Sequence, residues 1–222
     1  MSPASRSESL IDPSRRRLVL VSGPPASGKT TLAAPLAAEL GFALLGKDRI
    51  KETLGDWLVV EPAGPGESSS AVDPAVADPA VADPSAVDPS AVADPAAGPG
   101  WSRRLGAASM ELLWALTADA PAVVLEANFW SGDPRQRDRI SALAARPVEV
   151  FCDCPAEVCL QRYAQRAPAR HAVHVDDSQL GRLPELVARS GSPFGIGPVL
   201  TVDTTAPVDI PALARAVRAS LP

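Results

Sequence analysis

The sequence predicts an α/β protein organised on a five-stranded parallel sheet, and three observations carry that expectation. Five short apolar runs recur along the chain, at about Leu18–Ser22, Phe42–Leu45, Ala122–Ala127, Val148–Cys152 and Val199–Val202. Runs of this length, rich in Val and Leu, suit strands buried on both faces. Segments of helical spacing lie between them, so the strands need right-handed crossovers and a helical layer on each side of the sheet. The length of 222 residues is enough for one such domain with a real core. Aromatic residues make up only 4%, so that core must be built from Ala, Val and Leu.

Taken in order, residues 1–17 are polar, end in Arg15-Arg16-Arg17 and lack the apolar middle of a signal peptide; they read as a disordered tail. The first strand runs into a glycine-bounded loop. Leu32, Leu36 and Leu40 then mark one face of a helix that Gly41 can end, with Pro35 expected to kink it. The second strand leads through Gly46-Lys47-Asp48-Arg49 into a helix from Ile50 to about Leu58. From Glu61 to Gly100 the composition changes: eight prolines, no aromatics, and Asp-Pro at 73, 78, 83, 88 and 94. Each Asp-Pro could start a helical turn, but the next proline arrives too soon for a helix to propagate. Without large side chains the segment cannot offset its ordering entropy, so it reads as a disordered insertion within one domain spanning residues 18–222.

Order is expected again from Trp101, with Leu105, Ala108, Leu112 and Leu116 forming a helical stripe that Leu113 broadens. After the third strand, residues 134–145 form a helix with Ile140 and Leu143 inward. Pro155 opens a helix to about Arg166 after the fourth strand. Residues 167–177 read as an exposed loop and 178–189 as a helix. The last strand precedes a helix from about Asp209 to Leu221.

Composition narrows the function classes. No apolar run reaches the length of a membrane span. The three cysteines, Cys152, Cys154 and Cys159, are odd in number and close together, which is no disulfide framework and points to a reducing cytoplasm. The net charge of −5 is concentrated: 7 of the 26 acidic residues lie in 61–100, leaving 19 against 21 basic ones elsewhere. A near-neutral body neither demands nor excludes a polyanionic substrate.

The stretch that carries chemistry is Gly23-Pro-Pro-Ala26-Ser27-Gly28-Lys29-Thr30-Thr31, between the first strand and the first helix. This is the phosphate-binding P-loop pattern in its proper context. Backbone N–H groups and the helix N-terminus would surround a β-phosphate, Lys29 would neutralise the β/γ oxygens, and the Thr30 hydroxyl would ligate Mg²⁺. A glycine-rich turn that only links strand to helix is the duller reading. Further polar groups fall at the carboxyl ends of the strands, where such sheets bind ligands. Asp48 and Arg49 follow the second strand, Glu126 and Asn128 end the third, and Arg135, Arg137 and Arg139 come soon after. Arg162 and Arg166 share a helix face, with Arg170 in the following loop.

On Gly23-to-Thr31, Lys47-Asp48-Arg49-Ile50, Val124-to-Asn128 and Arg162-to-Asp176, the chain resembles the small P-loop kinases of the nucleoside/shikimate-kinase type. It looks closest to the group of AAA-family kinases, chloramphenicol phosphotransferase, zeta toxins and the kinase domain of polynucleotide kinase. The resemblance covers most of residues 18–221 except the insertion. It implies a three-layer P-loop NTPase fold with a helical lid, using ATP and Mg²⁺. It also implies that Asp48 binds or deprotonates an acceptor hydroxyl, that Arg49 orients the acceptor, and that Arg162, Arg166 and Arg170 close over ATP. Glu126 departs from the Asp common in relatives, so it stands between a metal-water ligand and a second base.

Each group has a plainer alternative. Asp48 could simply cap its helix, and Glu126 could pair with an arginine. Some arginines among 135–139 are a solvated face. The Cys152/Cys154/Cys159 set with His171 and His174 invites a zinc site, against which stands the lack of a paired CxxC motif. Trp101 and Trp130 could stack on a substrate, with helix packing the better reading for Trp101. The expected function is an ATP-dependent, Mg²⁺-assisted phosphotransferase acting on a hydroxyl of a small molecule or nucleotide. Its rivals are a kinase of 5′-hydroxyl nucleic-acid ends and a regulatory ATP-binding module; nucleic acid is a possible but not favoured partner, and no membrane partner is expected.

Overall fold

The computed structural model describes residues 12–58, 99–144, 146–174 and 177–222. The element order is β1 (Arg17–Ser22), α1 (Lys29–Leu40), β2 (Ala43–Gly46), α2 (Lys47–Trp57), α3 (Pro99–Ala118), β3 (Ala122–Glu126), α4 (Pro134–Leu143), β4 (Val148–Asp153), α5 (Ala156–Arg166), α6 (Asp177–Arg189), β5 (Val199–Asp203) and α7 (Ile210–Ser220). Short 3₁₀ turns stand at Pro13–Arg15, Ala167–Ala169 and Ala172–His174. The five strands form one parallel sheet in the order β2-β3-β1-β4-β5. The α/β fold with its five-stranded parallel sheet is as the sequence predicts.

Strand β1 is central and buried on both faces, and its alternation divides the core. Val19 and Val21 point to α1 and α7, where they meet Leu32, Leu36, Val124, Val150 and Val217. Leu18 and Leu20 point the other way, to Leu113, Trp114, Leu125, Phe129, Ile140 and Phe194. A third cluster joins α5 to α6 through Cys159, Tyr163, Leu183 and Val187. Helix α1 ends at Gly41, whose φ of 70° lets its N–H reach the carbonyls of Ala37 and Ala38. Pro35 sits on the exposed side of α1, and the helix continues past it to Leu40.

Several expectations need correction. The stripe assigned to α3 is out of phase: Leu112 is 40% and Leu116 47% exposed, whereas Ser102, Leu105, Ser109, Leu113 and Thr117 are buried. Ser109 and Thr117 donate to the carbonyls of Leu105 and Leu113, four residues back, so their hydroxyls are satisfied locally and the inward face accepts them. Of the tail expected over 1–17, Pro13–Arg15 form a 3₁₀ turn and Arg17 already belongs to β1. Arg16 is buried and donates to the carbonyls of Ala118, Ala120 and Leu143, where α3 and α4 end. Residues 1–11 lie outside the described residues. So does nearly all of the insertion expected at 61–100, although its last two residues, Pro99 and Gly100, already belong to α3. Helix α2 begins at Lys47, three residues before the expected start, which places Asp48 inside it. The expected exposed loop after α5 is two 3₁₀ turns, with His174 buried against α2.

Candidate active site

The loop between β1 and α1 is built for an anion. Gly23, Ala26 and Gly28 all take positive φ, at 133°, 63° and 92°. Only glycine fits at 23, because a Cβ there would lie 2.7 Å from the carbonyl oxygen of Cys152 on β4. Gly28 is the N-cap of α1 and contributes no capping side chain, so the first-turn N–H groups stay available to a ligand. Within the loop the Ser27 hydroxyl is buried without a hydrogen-bond partner among the described residues. Lys29 is 6% exposed and donates to the carbonyls of Gly23 and Pro24 at 3.0 and 2.7 Å. Burial holds its pKa below the usual lysine value, opposed chiefly by the charge of Glu126. A buried ammonium folded onto loop carbonyls, beside an orphaned hydroxyl, fits a phosphate group that would engage both.

Two cavities open on either side of this loop. One, of about 420 Å³, brings together Lys29, Thr30, Asp48, Arg49, Glu126 and Asn128, and is closed by Arg166, Arg170, His171 and His174. Parallel pairing explains the convergence: Glu126 is in register with both Gly46 on β2 and Val21 on β1. Glu126 is 7% exposed and lines the cavity beside Thr30. Burial raises its pKa above the ordinary glutamate value, with Lys29 acting against the rise. No arginine pairs with Glu126 among the described residues. Asp48 is not a cap, since Gly46 holds the N-cap position of α2 with no side-chain bond. Asp48 lies 3.7 Å from the Lys47 ammonium, with 45% of its side chain exposed.

The second cavity, of about 550 Å³, is lined by Ala26, Gly28, Thr31, Leu32, Arg162, Gln165, Arg166 and the turn Thr204–Val208 after β5. Thr204 is a site residue that the sequence analysis missed. Its hydroxyl lies 2.6 Å from the Ser27 carbonyl and 2.9 Å from that of Asp153, tying the end of β5 to the phosphate loop. A lone threonine after a strand gives no sequence signal. Arg162 reaches the carbonyl of Thr204 at 3.1 Å, and Arg170 lies over the Tyr163 ring, 4.6 Å from its centroid, and bonds to its hydroxyl. Arg166 and Arg49 have no side-chain partner among the described residues. Arg162, Arg166 and Arg170 thus run from one cavity to the other, with Arg166 lining both.

Other candidates are engaged elsewhere. Arg137 donates to the Phe194 carbonyl, Arg139 pairs with Glu111, and Arg189 stacks on Trp130 at 3.9 Å. Cys152 is on β4, Cys154 in the link that follows it and Cys159 on α5, while the histidines face α2, so the two sets do not converge. Burial pushes the Cys152 and Cys159 thiols up to about 12, which keeps them protonated. Among the described residues no helix is long and apolar enough to cross a membrane.

Comparison with known proteins agrees with this geometry. The model of the AAA domain family matches residues 18–188. A protein of Chloroflexus aurantiacus j-10-fl, provisionally named a kinase, superimposes with a TM-score of 0.66 at 28% identity, over 94% of this chain and 100% of that one. A gluconokinase from Sinorhizobium meliloti 1021 follows at TM-score 0.53 and 15% identity, covering 93% of this chain and 95% of its own. Shikimate kinase from Aquifex aeolicus vf5 reaches 0.50 at 14% identity, over 91% and 94% of the two chains. The last two are likenesses of fold alone. No curated protein matches the chain in sequence.

Proposed function

The chain belongs to the AAA domain family, and on that footing we propose that it is an ATP-dependent, Mg²⁺-assisted kinase that moves the γ-phosphoryl group to an alcohol hydroxyl. Its architecture is that of the small P-loop kinases of the shikimate/nucleoside-kinase type. The observation that carries the proposal is the junction of two cavities at one phosphate loop. Ala26, Gly28, Thr31 and Arg166 line both, so a phosphate chain anchored there would hold its base on the Thr204 side and its terminal phosphoryl facing Asp48. Lys29 neutralises the β/γ oxygens after leaving the loop carbonyls. Thr30 and Glu126 offer adjacent oxygen atoms of the kind Mg²⁺ takes, and the metal would supply charge neutralisation between the β- and γ-phosphates.

Asp48 takes the acceptor role in this reading. It stands in the acceptor-side cavity, has no capping duty and is more hydrated than Glu126, so it can orient a hydroxyl and receive its proton. Arg49 orients the acceptor from the next position. Arg162, Arg166 and Arg170 stabilise the charge that spreads over the transferring group, chiefly once water is excluded. The acceptor-side cavity is walled by the turn at His171–His174, which favours a small molecule or single nucleotide over a nucleic-acid end. Three free thiols fit a reducing cytoplasm. The test is an acceptor screen with ATP and Mg²⁺, read by mass spectrometry: an acceptor 80 Da heavier, about the mass of one added phosphoryl group, is expected. ATP binding with no transfer to any hydroxyl compound would instead favour a regulatory module.

A further inference from the structure

Helix α2 carries an anomaly that the phosphate site does not explain. Gly55 stands inside the helix, where glycine is a poorer helix former than alanine. Its place follows from its neighbour: a Cβ at 55 would lie 3.0 Å from Cγ2 and 3.2 Å from Cβ of Val173. The turn after α5 is seated on the bare backbone of α2. Two histidines fasten it there. His171 Nε2 lies 2.8 Å from Asp56 Oδ1, and His174 Nε2 lies 3.1 Å from Glu52 Oε1. The Val173 N–H donates to His171 Nδ1 at 3.1 Å, so that nitrogen bears no proton and Nε2 is the donor to Asp56. On the other side the Val173 carbonyl accepts from Ser102 of α3, whose hydroxyl also receives the buried Lys51 ammonium at 2.8 Å.

The spacing on α2 is informative. Asp48, Glu52, Gly55 and Asp56 are four, seven and eight residues apart from the first, and therefore share one helix face. The turn follows Arg170 directly in the chain, and Arg170 follows Arg162 and Arg166. One continuous segment therefore runs from the nucleotide-side cavity to the helix that bears Asp48. We propose that the turn His171–His174 is a clasp that couples nucleotide closure of the Arg162–Arg170 segment to α2, with Gly55, His171 and His174 as positioning residues for Asp48. The role of Asp48 rests on the function proposed above, whereas the seating of the turn does not. A nucleotide that draws the arginines inward pulls on α2 through two histidine–carboxylate bridges. The acceptor carboxylate then reaches its working position only when the phosphoryl donor is present, which guards against transfer to water.

Amide hydrogen exchange on the full chain, read by mass spectrometry, tests the clasp. The probe is Mg²⁺ with the non-hydrolysable analogue β,γ-imido-ATP. In the wild type the analogue should slow exchange in both 167–174 and α2, by about tenfold. Gly55→Ala puts a methyl group against Val173. It should speed exchange at 171–174 without nucleotide and remove the nucleotide-linked protection of α2, while affinity for the analogue stays within about twofold. Gly55→Ala combined with Val173→Ala removes the nearer contact, with Cγ2, and leaves only the Cβ contact, so it should restore most of both. Unchanged exchange at 171–174 in Gly55→Ala overturns the seat. A wild-type α2 that ignores the bound analogue overturns the coupling, as does a double variant that stays uncoupled. Failure of the analogue to bind wild type would overturn the nucleotide reading and the coupling with it, while exchange without nucleotide still reports on the seat.

Discussion

Replacing Arg16 with alanine should destabilise the protein severely, although the residue falls in a stretch whose composition suggests a loose tail. The residue is 1% exposed, and its guanidinium group donates to three carbonyls, those of Ala118, Ala120 and Leu143. Ala118 and Leu143 are the last residues of α3 and α4, so their carbonyls have no partner within their own helices. A hydrogen bond to a charged group contributes about 1.5–3 kcal/mol. Water entering the truncated site would satisfy part of the carbonyls, so a net cost of about 3–4 kcal/mol is expected. At roughly 2–4 °C per kcal/mol for a chain of this size, Tm should fall by about 6–16 °C. Arg16→Lys, with a single ammonium in place of the planar fork, should recover about half of the loss. Thermal and urea melts by circular dichroism measure this directly. A Tm change within about 2 °C for Arg16→Ala would refute the argument that one side chain closes the ends of two helices.

Four further outcomes are expected. Lys29→Ala should keep its circular dichroism spectrum and lose nearly all ATP turnover, because among the described residues the side chain bonds to its own loop alone; undiminished turnover in the folded variant would remove the phosphate-loop assignment. Arg166→Ala should lower kcat far more than it weakens ATP binding, with little change in Tm, since its charge has no partner among the described residues and is used on closure; intact turnover in alanine variants of Arg162, Arg166 and Arg170 would show that this segment is no catalytic lid. Glu149 accepts from Ser22, from the Phe194 N–H at 2.8 Å and from the Gly195 N–H at 2.7 Å. Glu149→Gln turns one acceptor into a donor facing an N–H, so urea denaturation should show a loss of about 2 kcal/mol. Burial holds His174 below the usual 6.5, with Lys51 and Arg170 adding to the drop and Asp48 and Glu52 opposing it. The unfolded chain therefore binds this proton more readily, and the stability gained from neutral His174 is whole above pH 6.5 and declines as pH falls below it. The stability difference between wild type and His174→Gln should narrow from about pH 7.5 to about pH 5, and a constant difference would contradict this.

What the sequence made legible and what it hid follow from the range of the interactions. Strand β1, the phosphate loop and the start of α1 are read from adjacent residues, because each glycine and the lysine act within a few positions of one another. The convergence of Glu126 with Thr30 was foreshadowed only by position at a strand end, since it depends on β3 pairing with β1 rather than with a sequence neighbour. Thr204 and Arg16 could not be found in this way. Their partners lie 177 residues away at Ser27 and 104 residues away at Ala120, and a single threonine or arginine carries no periodic signal. The phase of α3 is hidden for a different reason. Ser109 and Thr117 look polar in a pattern of apolar residues, yet their hydroxyls are satisfied by the helix itself and they face inward, leaving Leu112 and Leu116 outside. His171 and His174 suggested a metal or an exposed loop, whereas their partners are carboxylates on a helix more than a hundred residues earlier.

The division of labour between the two carboxylates is the most direct test of the proposed chemistry. With an acceptor in hand, phosphoryl transfer would be followed by mass spectrometry for wild type, Asp48→Asn and Glu126→Gln, alongside ATP affinity by calorimetry. Asparagine keeps the size of Asp48 and loses its charge and basicity, while Gly46 continues to cap α2. Transfer by Asp48→Asn should fall by roughly 10²-fold or more at unchanged ATP affinity and unchanged Tm, the usual scale for a positioned base. Glu126→Gln should weaken the dependence on Mg²⁺, because its oxygen atoms lie beside Thr30 rather than in the open part of the acceptor cavity. Near-normal transfer by Asp48→Asn, together with an inactive Glu126→Gln whose Mg²⁺ dependence is intact, would contradict the account and assign the base to Glu126.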